Sequence, residues 1–245
     1  MSMKRENSKA ETLLTRAALY RLLARAFAWP SPGHVAEVRE GFSALSIELE
    51  QGPDSIRRYL SRARRAWRQA EEESLSADYL RLFATGGPVR LHETAFGDAR
   101  RFAGREVELA DLNGFYAAFG FGLSPSNPDL PDHFSVELEF LGLLLVKEAW
   151  ARMRGWRRES HVTANAVARF LEQHLGRWLE PLGASLHDAS AGSPWRELAD
   201  LAIAAVNDEC RQRRVRPQPF AGPLAPDALQ AESFICPQAE AAHSH

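Results

Sequence analysis

The sequence predicts an all-α protein. Alanine and leucine number 38 and 30, against 10 valines, 4 isoleucines and 5 threonines, so strong helix formers heavily outweigh β-branched residues. Apolar positions recur at i, i+3, i+4 and i+7 through most of the chain, one buried stripe per element. Glycine–proline breaks separate these stretches. Together they predict a single globular domain of roughly nine to eleven helices over residues 11–212. A flexible N-terminus (1–10) precedes it, and a Pro/Ala-rich disordered tail (213–245) follows.

The first helix runs from about Glu11 to Phe27 on the stripe Leu13, Leu14, Ala17, Tyr20, Leu23, Ala24 and Phe27, and Trp29-Pro-Ser-Pro32-Gly33 ends it. A second covers His34 to Leu49 and stops at Gly52-Pro53. A third starts near Asp54 and continues through the charged Arg57–Glu73 stretch, with Tyr59, Leu60, Ala63 and Trp67 as a narrow apolar face. Ser76–Phe83 reads as a short helix broken by Gly86-Gly87-Pro88. Val89–Gly97 has neither period and is expected to be an ordered loop. Arg105–Phe119 is amphipathic, carrying Val107, Leu109, Leu112, Phe115, Tyr116 and Phe119, and ends at Gly120 and Gly122.

Then comes the elbow Pro125-Ser-Asn-Pro-Asp-Leu-Pro-Asp-His133, stiffened by three prolines. Asp132 is the expected N-cap of the next helix, with Glu137 and Glu139 near its positive end. Leu138, Phe140, Leu141, Leu143, Leu144, Leu145 and Val146 leave that helix almost no polar face, which marks it as the central buried one. After Gly155, one helix is expected over Ser160–Leu182, with Val162, Ala166, Phe170, Leu175 and Trp178 pointing inward, and a last over Pro194–Arg211, carrying Trp195, Leu198, Leu201, Ala202 and Ala205. Five of the 14 prolines fall after Arg216, where no apolar period survives.

Net charge is −2 with 25% charged residues, so no basic excess points to nucleic acid or an anionic membrane. The apolar run Phe140–Val146 is too short to span a bilayer. No apolar signal segment is visible near Met1, and Cys210 and Cys236 suggest neither a disulfide framework nor a zinc site. A cytoplasmic, reduced location is therefore expected.

Candidate chemistry is sparse. His133 and Glu137 stand at i, i+4 and could share a metal or substrate, or be a first-turn histidine and a dipole-complementing glutamate. A di-metal bundle needs paired Glu-x-x-His motifs, and the one present, Glu240 to His243, lies in the tail. Gly-x-Ser-x-Gly and phosphate-binding glycine loops are absent, so no catalytic residue, metal or cofactor is expected. The basic run Arg211–Arg216 reads as a solvated helix end or, alternatively, as an adaptor surface for a folded partner. Tyr20, Tyr79, Phe83, Phe96, Phe115 and Tyr116 are mostly core residues on elements that can border the elbow. An apolar groove rimmed by Glu93, Asp132 and Glu137 would suit a hydrophobic, arginine-bearing peptide.

Tyr79-Leu-Arg-Leu-Phe83, Pro128-Asp-Leu-Pro-Asp-His133, Glu137-Leu-Glu-Phe-Leu141 and Phe170-Leu-Glu-Gln-His-Leu-Gly-Arg-Trp178 resemble, in order and spacing, the TorD/DmsD/NarJ family of redox-enzyme maturation chaperones. The resemblance runs over residues 11–211. It implies an all-helical, non-enzymatic cytoplasmic chaperone, a monomer or weak homodimer. Its client would be the catalytic subunit of a molybdenum-cofactor oxidoreductase, bound through a twin-arginine leader or N-terminal segment and held until the cofactor is in place. Carried onto this chain, Pro131, Asp132 and His133 would line the leader groove. Tyr79, Leu82 and Phe83 would form its apolar wall, with Tyr20 contributing from the first helix. Glu137 would pair with a leader arginine. Glu93 and Phe96 belong to the expected site through the apolar groove alone, not through the resemblance. The loop Leu91-His-Glu-Thr-Ala-Phe96 departs from the family pattern, which often has a serine there after a proline-rich run.

Overall fold

A computed structural model describes residues 2–31, 33–49, 52–84, 86–97, 104–123 and 129–224. The first part of the proline elbow, Pro125 to Pro128, and the sequence from Ala225 onward, including Cys236, lie outside the described residues.

Helices dominate, as composition and period predict: α1 Ser2–Phe27, α2 His34–Glu48, α3 Asp54–Gln69, α4 Glu72–Phe83, α5 Arg105–Ala118, α6 Phe134–Met153, α7 Arg157–Gln173, α8 Leu175–Ala189 and α9 Pro194–Arg213. Among the described residues only two isolated β-bridges occur, and no helix is long and apolar enough to cross a membrane. α6 is the central strut. It lies along α1 on one side and α7 on the other, while α9 joins α3 and α8. Gly142 permits the α1–α6 approach, because a Cβ there would sit 3.3 Å from the Ala17 carbonyl oxygen.

Two aromatic groups fill the interior. Phe27, Phe134 and Trp178 meet edge to face, with ring centroids 4.8 and 5.2 Å apart, and Trp67 packs on Trp195 at 5.2 Å. Phe140 gathers Tyr116 (4.7 Å), Phe121 (5.5 Å) and Phe170 (5.0 Å). Such pairs add roughly 0.5–1.5 kcal/mol each beyond area burial. A buried ionic cluster ties α9 to α6 and α1. Arg213 bonds Glu209 and Glu148 at 2.7 Å each, Glu148 accepts from Arg152 (2.9 Å), and Arg16 pairs with Glu209.

α3 ends at Gln69 and α4 begins at Glu72, so the charged stretch expected to continue one helix to Glu73 is split between two. Leu14 and Val162, expected on buried faces, are exposed. Three other boundaries differ from expectation for physical reasons. α1 begins at Ser2 rather than near Glu11, and its polar first turns are tied down where Arg152 bonds Glu6 at 3.0 Å. The expected helix over 160–182 is two helices, because His174 leaves helical geometry (φ −125, ψ −102) with both ring nitrogens engaged by distant carboxylates. The chain also stays ordered beyond residue 212, through Leu224, where the sequence suggests a tail. Pro181 lies inside α8 and has no N–H to give the Arg177 carbonyl. The N–H of Phe220 takes its place at 2.8 Å, and the Arg177 guanidinium lies 4.2 Å over the Phe220 ring. Gly176 makes room, since a Cβ there would meet Pro217 Cγ at 2.4 Å. The strap ends on the 92–97 loop, with Gly97 N–H donating to Gly222 O (3.0 Å) and Leu224 N–H to Ala95 O (2.8 Å).

Candidate functional site

The elbow and the 89–97 loop meet as a short antiparallel bridge between His92 and His133. Glu93 N–H donates to Asp132 O (2.9 Å) and Phe134 N–H to Leu91 O (2.8 Å). Tyr116 on α5 closes the other side, its hydroxyl donating to Pro131 O at 2.7 Å. Three proline-stiffened residues at the mouth of α6 are thus held from two elements.

Asp132 does not cap α6, contrary to the sequence expectation; His133 does. The helix starts at Phe134, so Asp132 stands one residue too early, and His133 Nδ1 accepts from Ser135 N–H at 3.2 Å. Asp132 turns to the loop instead, accepting from Thr94 Oγ1 (2.6 Å) and Thr94 N–H (3.3 Å) and lying 3.2 Å from His92 Nδ1. Burial alone would push this carboxyl up; the bonds from His92 and Thr94 outweigh it and hold it below its ordinary value. Burial pushes His133 down to about 4 against the nearby Asp129 charge, so the ring is neutral near pH 7 and free to accept the capping bond.

Glu137, fully buried, accepts from Trp178 Nε1 at 3.2 Å and hydrogen bonds the equally buried Glu93. Two carboxyls bond each other only if one keeps its proton. Burial first, and then the Glu93 charge, raise Glu137 well above its ordinary value, so Glu137 is the protonated partner. Glu93 Oε2 in turn lies 3.2 Å from His174 Nδ1, and His174 Nε2 lies 3.2 Å from the exposed Asp111. A polar chain therefore runs from the Trp178 core through two carboxyls and an imidazole to the surface of α5.

Asp132, His133, Glu93 and Glu137 converge, as their shared rim in sequence suggested, but all four are buried with their partners inside the fold. His133 and Glu137 are engaged by different neighbours, Ser135 and Trp178. Phe96 is also buried, stacked on Trp178 at 5.4 Å, and Leu82 is wholly enclosed. Tyr20 lies apart, donating from α1 to Ala205 O on α9 at 2.9 Å. The surface beside the elbow belongs to other residues. Trp29, 52% exposed, rests edge-on against Tyr79 at 5.3 Å, and Tyr79 meets Phe83 at 5.1 Å. The Tyr79 phenol is pushed up to about 12 by burial and then by the Asp129 charge, and Leu130 beside that aspartate is exposed. Exposed Trp29 over the mostly buried Tyr79 and half-buried Phe83 forms an apolar ledge, and Asp129, near enough to act on the Tyr79 phenol, gives it an acidic corner. Sequence reading used Trp29 only as a helix stop and gave Asp129, His92 and His174 no role; an exposed tryptophan before Pro30 was the available signal.

Elsewhere, the basic run is largely spoken for. Arg211 pairs with Asp208 at 2.9 Å, Arg213 belongs to the buried cluster, and Arg214 is the left-handed C-cap of α9. Cys210 is buried, its thiol pushed up to about 11 by that burial. Among the described residues no group of three or more His, Cys, Asp or Glu side chains is arranged to hold a metal.

The profile of the nitrate reductase delta subunit family matches residues 43–183. The chlorate reductase assembly chaperone protein of Ideonella dechloratans is 36% identical over 164 residues, covering 61% of this chain and 84% of that protein. The perchlorate reductase assembly chaperone protein of Dechloromonas aromatica is 30% identical over 206 residues, covering 79% and 88%. The selenate reductase assembly chaperone protein of Thauera selenatis is 38% identical over 110 residues, covering 44% and 54%.

Proposed function

Since the chain belongs to the nitrate reductase delta subunit family, we propose that it is an assembly chaperone, without catalysis of its own, for the catalytic subunit of a molybdenum-cofactor reductase. What carries the reading is likeness to relatives named as reductase assembly chaperones, spanning 79% of this chain in one case. The finer reading is that it works in the cytoplasm, binding the client's twin-arginine leader or N-terminal segment and holding it while the cofactor is inserted.

The ledge beside the elbow suits that task. Apolar leader residues lie on Trp29, Tyr79, Phe83 and Pro131, and a leader arginine meets the Asp129 corner. Behind them Asp132, His133, Glu93 and Glu137, with Leu82 and Phe96, fix the elbow's position; Tyr20 anchors α1 against α9. Charge at such a rim steers and orients more than it tightens. A client that must be released is held at about micromolar Kd, or about −8 kcal/mol.

Co-purification from the native host, with mass spectrometry, tests the function: a molybdoenzyme catalytic subunit retaining its N-terminal segment is the expected catch. Recovery of no oxidoreductase under conditions that induce such enzymes would sink the assignment. Trp29→Ala tests the site. It should weaken leader binding at least about tenfold, as losing a stacked aromatic anchor does, with unchanged helix content; unchanged binding would move the site off the ledge.

A further inference from the structure

A wide groove opens away from the elbow. It lies where α7 crosses α6 and the end of α5, with a volume of about 780 Å³. Phe119 and Val146 line its floor, and Trp150, Trp156 and Val162, each about half exposed, form its walls. A second hollow of about 430 Å³ shares Phe119 and Val162 with it and extends the groove toward Asp111. Lys147 and Arg158 line the main hollow and Arg169 the second, while Arg154 lies 4.5 Å over the Trp150 ring. Against these cations the two hollows carry Glu159 and Asp111 as their acidic lining. An apolar groove with a basic rim repels an arginine-rich leader and fits an acidic, apolar segment.

The chain itself carries one. Residues 225–245 contain Asp227, Glu232 and Glu240 and no lysine or arginine, with Leu229, Phe234 and Ile235 as bulky apolar side chains. Its starting point is favourable. Leu224 is bonded to Ala95, two residues from Glu93, and Glu93 reaches Asp111 at the near end of the groove through the single side chain of His174. Ten residues separate Leu224 from Phe234, a reach of up to about 33 Å. Covalent linkage gives such a segment a high effective concentration, so modest contacts suffice.

We propose that the C-terminal segment docks in this groove of its own chain, with Phe234 and Ile235 between Trp150, Trp156 and Val162 and its carboxylates against Lys147 and Arg158. The full-length protein with a photo-activated cross-linking residue at Phe234 tests this. Mass spectrometry should map intrachain cross-links to peptides holding Trp150, Trp156 or Val162, at a yield independent of protein concentration. Reversing the exposed Lys147→Glu and Arg158→Glu should cut that yield about tenfold at low salt. Adding Asp227→Lys and Glu232→Lys should restore it. Cross-links between two chains would give the groove to a second copy and overturn the proposal. Cross-links that map elsewhere, or a yield indifferent to the charge reversals, would overturn it too.

Discussion

Replacing Glu137 by glutamine should make the protein progressively more stable than the parent as pH rises. Glutamine is nearly the same shape. Its carbonyl can accept from Trp178 Nε1, and its amide can donate to Glu93 as the protonated carboxyl does now. In the parent, folding raises the Glu137 carboxyl above its ordinary 4.5, so between 4.5 and the folded value the native state binds one proton more than the unfolded chain. Stability therefore falls as pH rises through that window, by up to about 1.4 kcal/mol per pH unit for one proton. Glutamine removes this slope. Urea unfolding followed by circular dichroism at half-unit steps from pH 4.5 to 8 would read it directly. The advantage of Glu137→Gln should be near zero at the acid end and widen upward. Parallel curves, or an advantage largest in acid, would show that the proton is not held at Glu137.

His133→Ala should cost about 1 kcal/mol through the lost cap and should also flatten the acid limb of the stability profile. In the parent, the unfolded ring takes a proton near 6.5 while the folded ring waits until about 4. Stability is thus lost as pH falls between those values, by about 3 kcal/mol in all if that ring alone titrates; denaturant midpoints at pH 7 and 4.5 test it. Gly142→Val should destabilise by about 1–3 kcal/mol by overpacking the α1–α6 crossing, visible as a lowered Tm. Phe220→Ala should cost about 3 kcal/mol, and hydrogen exchange should rise in the 92–97 loop rather than in α3.

Helices bounded by strong local chemistry were legible. α2 begins at His34 after Gly33, and α9 begins with Pro194 after the capping Ser193, because caps and proline act within a few residues. The break at His174 was not legible. The apolar period passes straight through it, and what bends the chain there is Glu93 and Asp111, 81 and 63 residues away in sequence. The site divides the same way. Sequence placed Glu93, Asp132 and Glu137 around one feature, and they do converge. Whether a carboxyl faces water, an arginine or another carboxyl depends on packing that no local spacing encodes. Asp132 and His133 exchanged roles for a similar reason, since loop donors 38 residues away outbid the helix N-terminus for the carboxylate.

The strap has a consequence for timing. The chain leaves the ribosome N-terminus first, and α1 through α9 can assemble while residues 214–224 are still being made. The Arg177 carbonyl, bared by Pro181, finds its donor only when Phe220 emerges, and the loop bearing His92 and Glu93 gains its last tether only with Leu224. The elbow's support is completed only by residues made after α9. A chain made only as far as α9 therefore carries an unbraced 92–97 loop, whatever its helices have already assembled.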